Sequence, residues 1–257
     1  MGIVFTCSID DGYPSDIRMA ALLEKHHLQG TFYVPIKNCE GREVLSPSAL
    51  REIGRIFEIG SHTLDHCYLN SVDLVTARHQ IVEGKRQLEE RLGQELVGFC
   101  YPGGKYRRDH IALVRDAGFR YARTSMNLCF DGGRNPFEIP TTLQFFPHAR
   151  SVYLRNMVRG GEWGVRQQGL RLALQHGHWL QRLYALFDYA CRHGHTFHLW
   201  THSWEIDELD GWQEMDRFLA YVSAVVPLRN RLTNAEVAHV QTNRPAPTRM
   251  WAKRAQR

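Results

Sequence analysis

The chain has 257 residues, 43% of them hydrophobic, and 32 Lys and Arg against 27 Asp and Glu give a formal charge of +5. That suits one α/β domain with a sizeable core, and no apolar run approaches the roughly 18 to 20 residues a membrane helix needs. Six cysteines, at 7, 39, 67, 100, 129 and 191, lack the paired spacing of a disulfide framework and fit reduced thiols better.

The first element is an apolar, β-branched run that stops at two charges and a glycine: Ile3-Val-Phe-Thr-Cys-Ser-Ile-Asp10-Asp11-Gly12. It reads as a buried parallel strand with both carboxylates at its carboxyl end. Ser15 is expected to cap a helix running to about His27, and Gly30-Thr-Phe-Tyr-Val-Pro35 is the second strand. Ser46 and Pro47, as N-cap and first helical residue, open a helix ending near Arg55. A strand from Phe57 then delivers His62 in Gly60-Ser-His62-Thr-Leu-Asp-His66. Ser71 is expected to cap a long amphipathic helix to Leu92, with Val75, Val82 and Leu88 as apolar positions and Gly93 as its stop.

Gly98-Phe-Cys-Tyr-Pro102-Gly-Gly104 ends a fourth strand, residues 109–118 are helical, and Tyr121-Ala-Arg123-Thr-Ser is the next strand. Four strand–helix alternations before residue 120 call for parallel α/β architecture. Residues 127–147 read as loop with one strand at 137–143, residues 151–191 as mostly helical, and Thr196-Phe-His-Leu-Trp-Thr-His202-Ser-Trp-Glu205 ends a late strand. From Leu228 on, seven Lys or Arg face one acid, Glu236. We therefore expect a catalytic unit over 1–227 and a basic, partly disordered tail over 228–257, with a short helix starting near Leu232.

The carboxyl ends of strands form the rim where α/β folds collect their functional groups. The four-residue step from His62 to His66 lets both imidazoles face one point if that corner turns helically. Two neutral imidazoles and one carboxylate make a first-row divalent site with coordination positions left open, which marks catalytic rather than structural metal centres. Alone, Asp-Asp-Gly is usually a turn, and His-x-x-x-His is usually an accident in a chain with 14 histidines. Their conjunction, each at a strand end, carries the reading.

In this order the four strand-end segments resemble the polysaccharide deacetylase family, the carbohydrate esterase family 4 enzymes, from about Ile3 to Trp212. The resemblance implies a distorted (β/α) barrel with about seven parallel strands. It implies Asp10 as general base, Asp11, His62 and His66 as ligands of zinc or another divalent ion (Co, Ni or Fe also tolerate this set), and His202, in Leu199-Trp-Thr-His202, as general acid. One departure matters: where the family carries an arginine two residues before the proline of its third motif, this chain has Cys100. We expect Arg123 to point inward at the rim and pair with Asp10 in its place, against the alternative of a core-edge arginine. The family's fourth, Asp-Trp-rich motif is not recognisable.

The chemistry has its own logic. An acetamide is a poor electrophile, so its hydrolysis gains from a metal-activated water, a carboxylate to take the proton and an imidazole to protonate the leaving amine. Backbone N–H groups of the turn Tyr101-Pro102-Gly103 are candidate oxyanion donors. Trp200 and Trp204 either stack on a sugar or pack beneath the barrel mouth, and Glu205 anchors His202 or a substrate group. His176 and His178 are more ordinary as exposed residues at a helix end, and Cys67 or Cys100 as a soft metal ligand is disfavoured by the complete N/O set.

With a strand at the very start, no signal peptide is expected, which places the protein in the cytoplasm. The substrate is then a precursor, an N-acetylated sugar, nucleotide sugar or lipid-linked saccharide, suited to surface-polysaccharide (O-antigen or capsule) synthesis. The basic tail either stays solvated, the commoner case, or makes a peripheral contact with the inner membrane face. Nucleic acid is not an expected partner. Two other readings stay open: hydrolysis of another C–N bond, cyclic or linear, on the same fold, and a catalytically silent carbohydrate-binding relative. Iron oxygenase chemistry is a weaker third.

Overall fold

The structure is a computed structural model that describes residues 2–242. Its elements in chain order are β1 (Val4–Asp10), α1 (Asp16–Lys25), β2 (Thr31–Val34), α2 (Pro47–Gly54), β3 (Glu58–Ser61), α3 (Leu74–Leu92), β4 (Gly98–Cys100), α4 (Arg108–Asp116), β5 (Tyr121–Arg123) and β6 (Leu143–Gln144). They continue through α5 (Arg150–Gly160), α6 (Trp163–Gln175), α7 (Trp179–His193), β7 (Thr196–His202), α8 (Ser203–Glu208), α9 (Trp212–Val225) and α10 (Asn234–Thr242). The strands form one seven-stranded parallel sheet in the order β5-β4-β3-β2-β1-β7-β6. The expected distorted barrel of seven strands is therefore present. It curls until its edges meet through one segment: Ile139 bridges Arg123 of β5, and four residues later Leu143 pairs with Leu199 of β7.

Alternation along the strands sorts the side chains. In β1, Phe5, Cys7 and Ile9 join the apolar core beneath the helices, where Phe5 meets Phe187 edge-on and stacks on Phe197. Thr6, Ser8 and Asp10 take the other face and are buried polar groups inside the barrel. β7 repeats the pattern, with Phe197 and Leu199 in the core and His198, Trp200 and His202 on the opposite parity. Glycines make room inside: a Cβ on Gly60 would lie 2.5 Å from the Tyr33 ring, and one on Gly98 2.3 Å from Tyr121 Oη.

Several local expectations hold. Ser46 Oγ accepts from Ala49 N–H at 3.2 Å with Pro47 at the first position, and Gly93 ends α3 in the left-handed region at φ 69°. Others need correction. Ser15 makes no cap hydrogen bond and instead donates to Ser203 Oγ at 3.0 Å. Asp73, not Ser71, caps α3 through Thr76 N–H, because Ser71 closes a short 3₁₀ turn of its own. The buried face of α3 is Ala77, Ile81, Gly84 and Leu88, while Val75 and Val82 are exposed. The strand expected at 137–143 is cut down to Leu143–Gln144: residues Pro136–Glu138 form a 3₁₀ turn, and Pro140 has no N–H for a ladder.

Beyond Val226 the described chain docks on the barrel. Leu232 N–H bonds Phe5 O at 2.9 Å, and the start of α10 plugs the amino-terminal end of the strands. There Asn234 takes a hydrogen bond from Thr6 Oγ1 and donates to Tyr33 Oη, and its backbone N–H donates to Thr31 Oγ1. The rest of the expected basic tail, from residue 243, lies outside the described residues. No described helix is long and apolar enough to cross a membrane.

Candidate active site

The opposite, carboxyl end of the strands gathers the residues singled out by sequence. β1 ends at Asp10, after which Asp11 (φ 78°) and Gly12 (φ 61°) turn the chain through the left-handed region. A Cβ on Gly12 would sit 2.6 Å from Val34 Cγ1, so the sharp exit requires glycine. After β3 the chain turns at Thr63 (φ 67°) and His66 (φ 62°) rather than helically. The two imidazoles converge nonetheless, with ring centroids 5.0 Å apart. Left-handed backbone at non-glycine residues costs on the order of 1 kcal/mol or more each. Two of the three candidate ligands, Asp11 and His66, carry that strain, which is characteristic of functional corners.

Nε2 of His66 lies 3.1 Å and Nε2 of His62 3.6 Å from Asp11 Oδ1, and ligand atoms of all three residues fall within 4.8 Å of one another. His62 Nδ1–H donates to Cys100 O at 2.9 Å, which fixes the tautomer and turns the Nε2 lone pair toward Asp11. Trp204 Nε1–H donates to Asp11 Oδ2 at 3.0 Å, while the buried Asp11 Oδ1 has no hydrogen-bond partner. Burial acts to raise the Asp11 carboxyl, but the His62 and His66 contacts outweigh it and hold the group far below the usual carboxylate range. Burial also keeps His62 low and neutral. A deprotonated oxygen without a donor, a tautomer-locked imidazole and a second imidazole fit a divalent cation with open positions. Asp10, His62 and Cys100 cluster as closely; burial drives the Cys100 thiol well up, and its Sγ lies 3.9 Å from Asp10 Oδ2 and 3.7 Å from Tyr101 O. Cys67 donates weakly to Tyr68 O, 3.8 Å away.

Asp10 faces Arg123. The guanidinium donates from Nη2 to Asp10 Oδ1, both residues are nearly fully buried, and the rings of Tyr33 and Trp200 flank the Arg123 cation at 5.3 and 5.2 Å. Cys100 and Arg123 are register partners on adjacent strands. The cation thus reaches the aspartate from one strand beyond the position where the resemblance would put it.

β7 sets His202 beside Asp10 in register. Its Nε2 lies 3.8 Å from Asp11 Oδ2, and its Nδ1 lies 2.9 Å from Glu205 Oε2. Burial works against the imidazolium, yet Glu205 and Asp11 outweigh it and push the pKa up to about 9. Glu205 accepts from Gln144 Nε2 at 2.7 Å, and Gln144 Oε1 is 2.7 Å from His148 Nε2. Gln144 and His148 escaped the sequence reading because they sit in a stretch that reads as loop. Trp204 stacks on His202 at 5.2 Å and carries Arg42 on its ring at 3.5 Å, while Trp200 meets His202 edge-on.

The turn after β4 is narrower in its possibilities than its sequence. Tyr101 N–H is spent on Arg123 O, Pro102 has none, and the Tyr101 side chain is buried against Tyr106, so of the three only Gly103 N–H is left as a candidate oxyanion donor. Gly103 and Gly104 line a pocket of about 280 Å³ together with Asp10, Arg123, Trp200 and His202. His176 and His178 do not line it.

Comparison with known proteins now adds to this geometry. The family model described as Polysaccharide deacetylase matches residues 3–122. YxkH of Bacillus subtilis, whose name assigns it to the polysaccharide deacetylases, is 22% identical over 120 residues, 46% of this chain and 43% of that protein. The chain thus spans less than half the length of that curated relative. A Mycobacterium smegmatis structure named for the same class superposes over 100% of this chain and 96% of its own, with TM-score 0.62 and 17% identity. A deacetylase called T48, solved with substrate, covers 93% of this chain and 92% of its own at TM-score 0.51 and 14% identity. At these identities the structural matches speak for the fold. The family match ends within β5, so Arg123 and His202 stand on geometry alone.

Proposed function

We propose that this chain, whose residues 3–122 match the polysaccharide deacetylase family model, is a metal-dependent hydrolase removing an N-acetyl group from a sugar or sugar precursor. The observation that carries this is the convergence of three clusters at one rim: Asp11 with His62 and His66, Asp10 with Arg123, and His202 with Glu205.

A divalent ion held by Asp11, His62 and His66 would supply Lewis acidity, lowering the pKa of a water toward about 7 and polarising the acetamide carbonyl. Asp10 takes the proton of the attacking water. Arg123 fixes the orientation of that carboxylate through the hydrogen bond from its Nη2 to Oδ1. His202 is held protonated by Glu205 and hands its proton to the departing nitrogen, so the amine leaves neutral. Gly103 N–H is the backbone donor for the developing oxyanion. Trp200 lines the pocket beside His202 and offers a face to a sugar ring, while Trp204 stacks on His202.

The substrate belongs to a precursor stage of surface-polysaccharide (O-antigen or capsule) assembly on this reading, with zinc as the expected ion and the cytoplasm as the expected compartment. The test is acetate release from a panel of N-acetylated sugars and nucleotide sugars before chelation, after it, and after Zn²⁺ is restored. Release that disappears with chelation and returns with Zn²⁺ supports the proposal. Metal-dependent activity on other amides alone would move it to another C–N bond, and sugar binding without any hydrolysis would make this a silent carbohydrate-binding relative.

A further inference from the structure

Beside the catalytic pocket lies a second, larger one of about 510 Å³. Gly103, Gly104, Ser125, Asn127 and Asn156 line both, so the two are compartments of one cleft. Cations and amides mark the outer compartment: Lys105 and Arg159 line it, with Asn70, Asn127 and Asn156, and no carboxylate side chain does so among the described residues. Arg155 lines the catalytic side.

The positions have a simple origin. Val152, Arg155, Asn156 and Arg159 follow i, i+3, i+4, i+7 along α5, so they form one helix face, and all four line the cleft. Lys105 comes from the other wall, just past the glycine turn that follows β4. None of Lys105, Arg155 and Arg159 forms an ion pair among the described residues; Lys105 only rests over the Tyr68 ring at 5.4 Å. Arg166 differs, since its guanidinium is buried and committed to Asn127, Asn156 and Gly161, so it holds the wall rather than a ligand. Elsewhere on the surface arginines do find acids, as Arg86 does with Glu83 and Glu90. Cations gathered in a concave wall with amide donors and no counter-charge are built to receive an anion.

We propose that this outer compartment binds a phosphate or diphosphate group on the sugar whose N-acetyl group enters the inner pocket. This rests on the deacetylase reading and deepens it: the substrate is a phosphorylated sugar, not a neutral oligosaccharide. A single carboxylate would need one such cation, whereas two or three cations lining one cleft match the charge of a diphosphate. The diphosphate can join the sugar to a nucleoside or to a polyprenyl lipid, and both present the same group to Lys105 and Arg159.

The experiment uses the full-length, metal-loaded protein, its K105A/R159A variant and the charge-retaining R159K. Binding of inorganic pyrophosphate is measured by calorimetry. Acetate release is measured on chitobiose, on UDP-N-acetylglucosamine and on N-acetylglucosamine linked by diphosphate to a short prenyl chain. We expect pyrophosphate to bind the wild type, to bind K105A/R159A at least tenfold more weakly, and to bind R159K in between. We expect KM for the diphosphate substrates to rise at least tenfold in K105A/R159A with kcat nearly unchanged, and chitobiose hydrolysis to stay the same. The lower KM of the two diphosphate substrates identifies the source. Chitobiose hydrolysis together with no pyrophosphate binding, or with binding equal in wild type and variant, overturns this proposal and leaves the deacetylase reading standing. Variant-sensitive pyrophosphate binding without acetate from any substrate keeps the anion site and removes the deacetylase.

Discussion

The two ends of this barrel both bury polar groups, and they treat them differently. At the amino-terminal end Thr6, Thr31, Tyr33, Glu58, Tyr121 and Asn234 form a network in which each side chain has a partner: Glu58 takes Thr31 Oγ1 and Tyr121 Oη, and Asn234 joins Thr6 to Tyr33. At the carboxyl-terminal rim Asp11 Oδ1, His66 Nδ1 and Arg123 Nε are buried without a hydrogen-bond partner. An orphaned buried polar atom costs about 1–3 kcal/mol, so the two ends differ in what they contribute to stability. The satisfied network closes the barrel. On the proposed function the rim network is the one that meets a cation and a substrate.

Mutations can break this contrast, and the largest effect belongs to the rim. D11A should lower acetate release by roughly 10³-fold or more, with loss of bound metal, and D10N by about 10²–10⁴-fold with metal retained; steady-state assays and metal analysis separate the two. In the metal-free state D10N should also lower Tm, because it leaves the buried Arg123 guanidinium without a charged partner. R123A comes next. It leaves Asp10 as a buried unpaired charge, a loss of about 3–5 kcal/mol in stability, and R123K should fold better yet still lose kcat, since an ammonium lacks the planar fork.

At the other end N234A should cost about 1–3 kcal/mol, read as a Tm lowered by roughly 2–4 °C per kcal/mol. The kcat of the folded fraction should not move. E205Q is the mildest. His202 must carry a proton to donate it, and Glu205 raises its pKa; removing that carboxylate lowers the pKa, so the basic limb of the pH profile should move to lower pH, with kcat at neutral pH down about tenfold. An unmoved basic limb would detach Glu205 from His202.

Much of the rim was legible because charge interrupts apolar strands there: Asp10 and Asp11 end β1, His62 follows β3 and His202 ends β7. The pairing of Arg123 with Asp10 was expected from the arginine missing at Cys100, and the sheet register, which sets Cys100 beside Arg123, gives its geometry. The spacing of His62 and His66 allows a helical turn but cannot distinguish one from a corner with left-handed residues, which is what the chain forms. Gln144 and His148 were hidden, as β6 is two residues long and leaves no periodicity to read. The same holds for the plug at Asn234: its polar, basic neighbourhood reads as tail, and only the buried partners Thr6, Thr31 and Tyr33 reveal it as part of the barrel.

The most direct test of the rim as a metal-dependent active site is metal stoichiometry and acetate release measured on the same preparations of wild type and D11A. The account predicts about one equivalent of divalent metal and acetate from an N-acetylated sugar in the wild type, and neither in a D11A protein that remains folded. Equal metal content in the two proteins, or acetate release that persists in metal-free D11A, would contradict it.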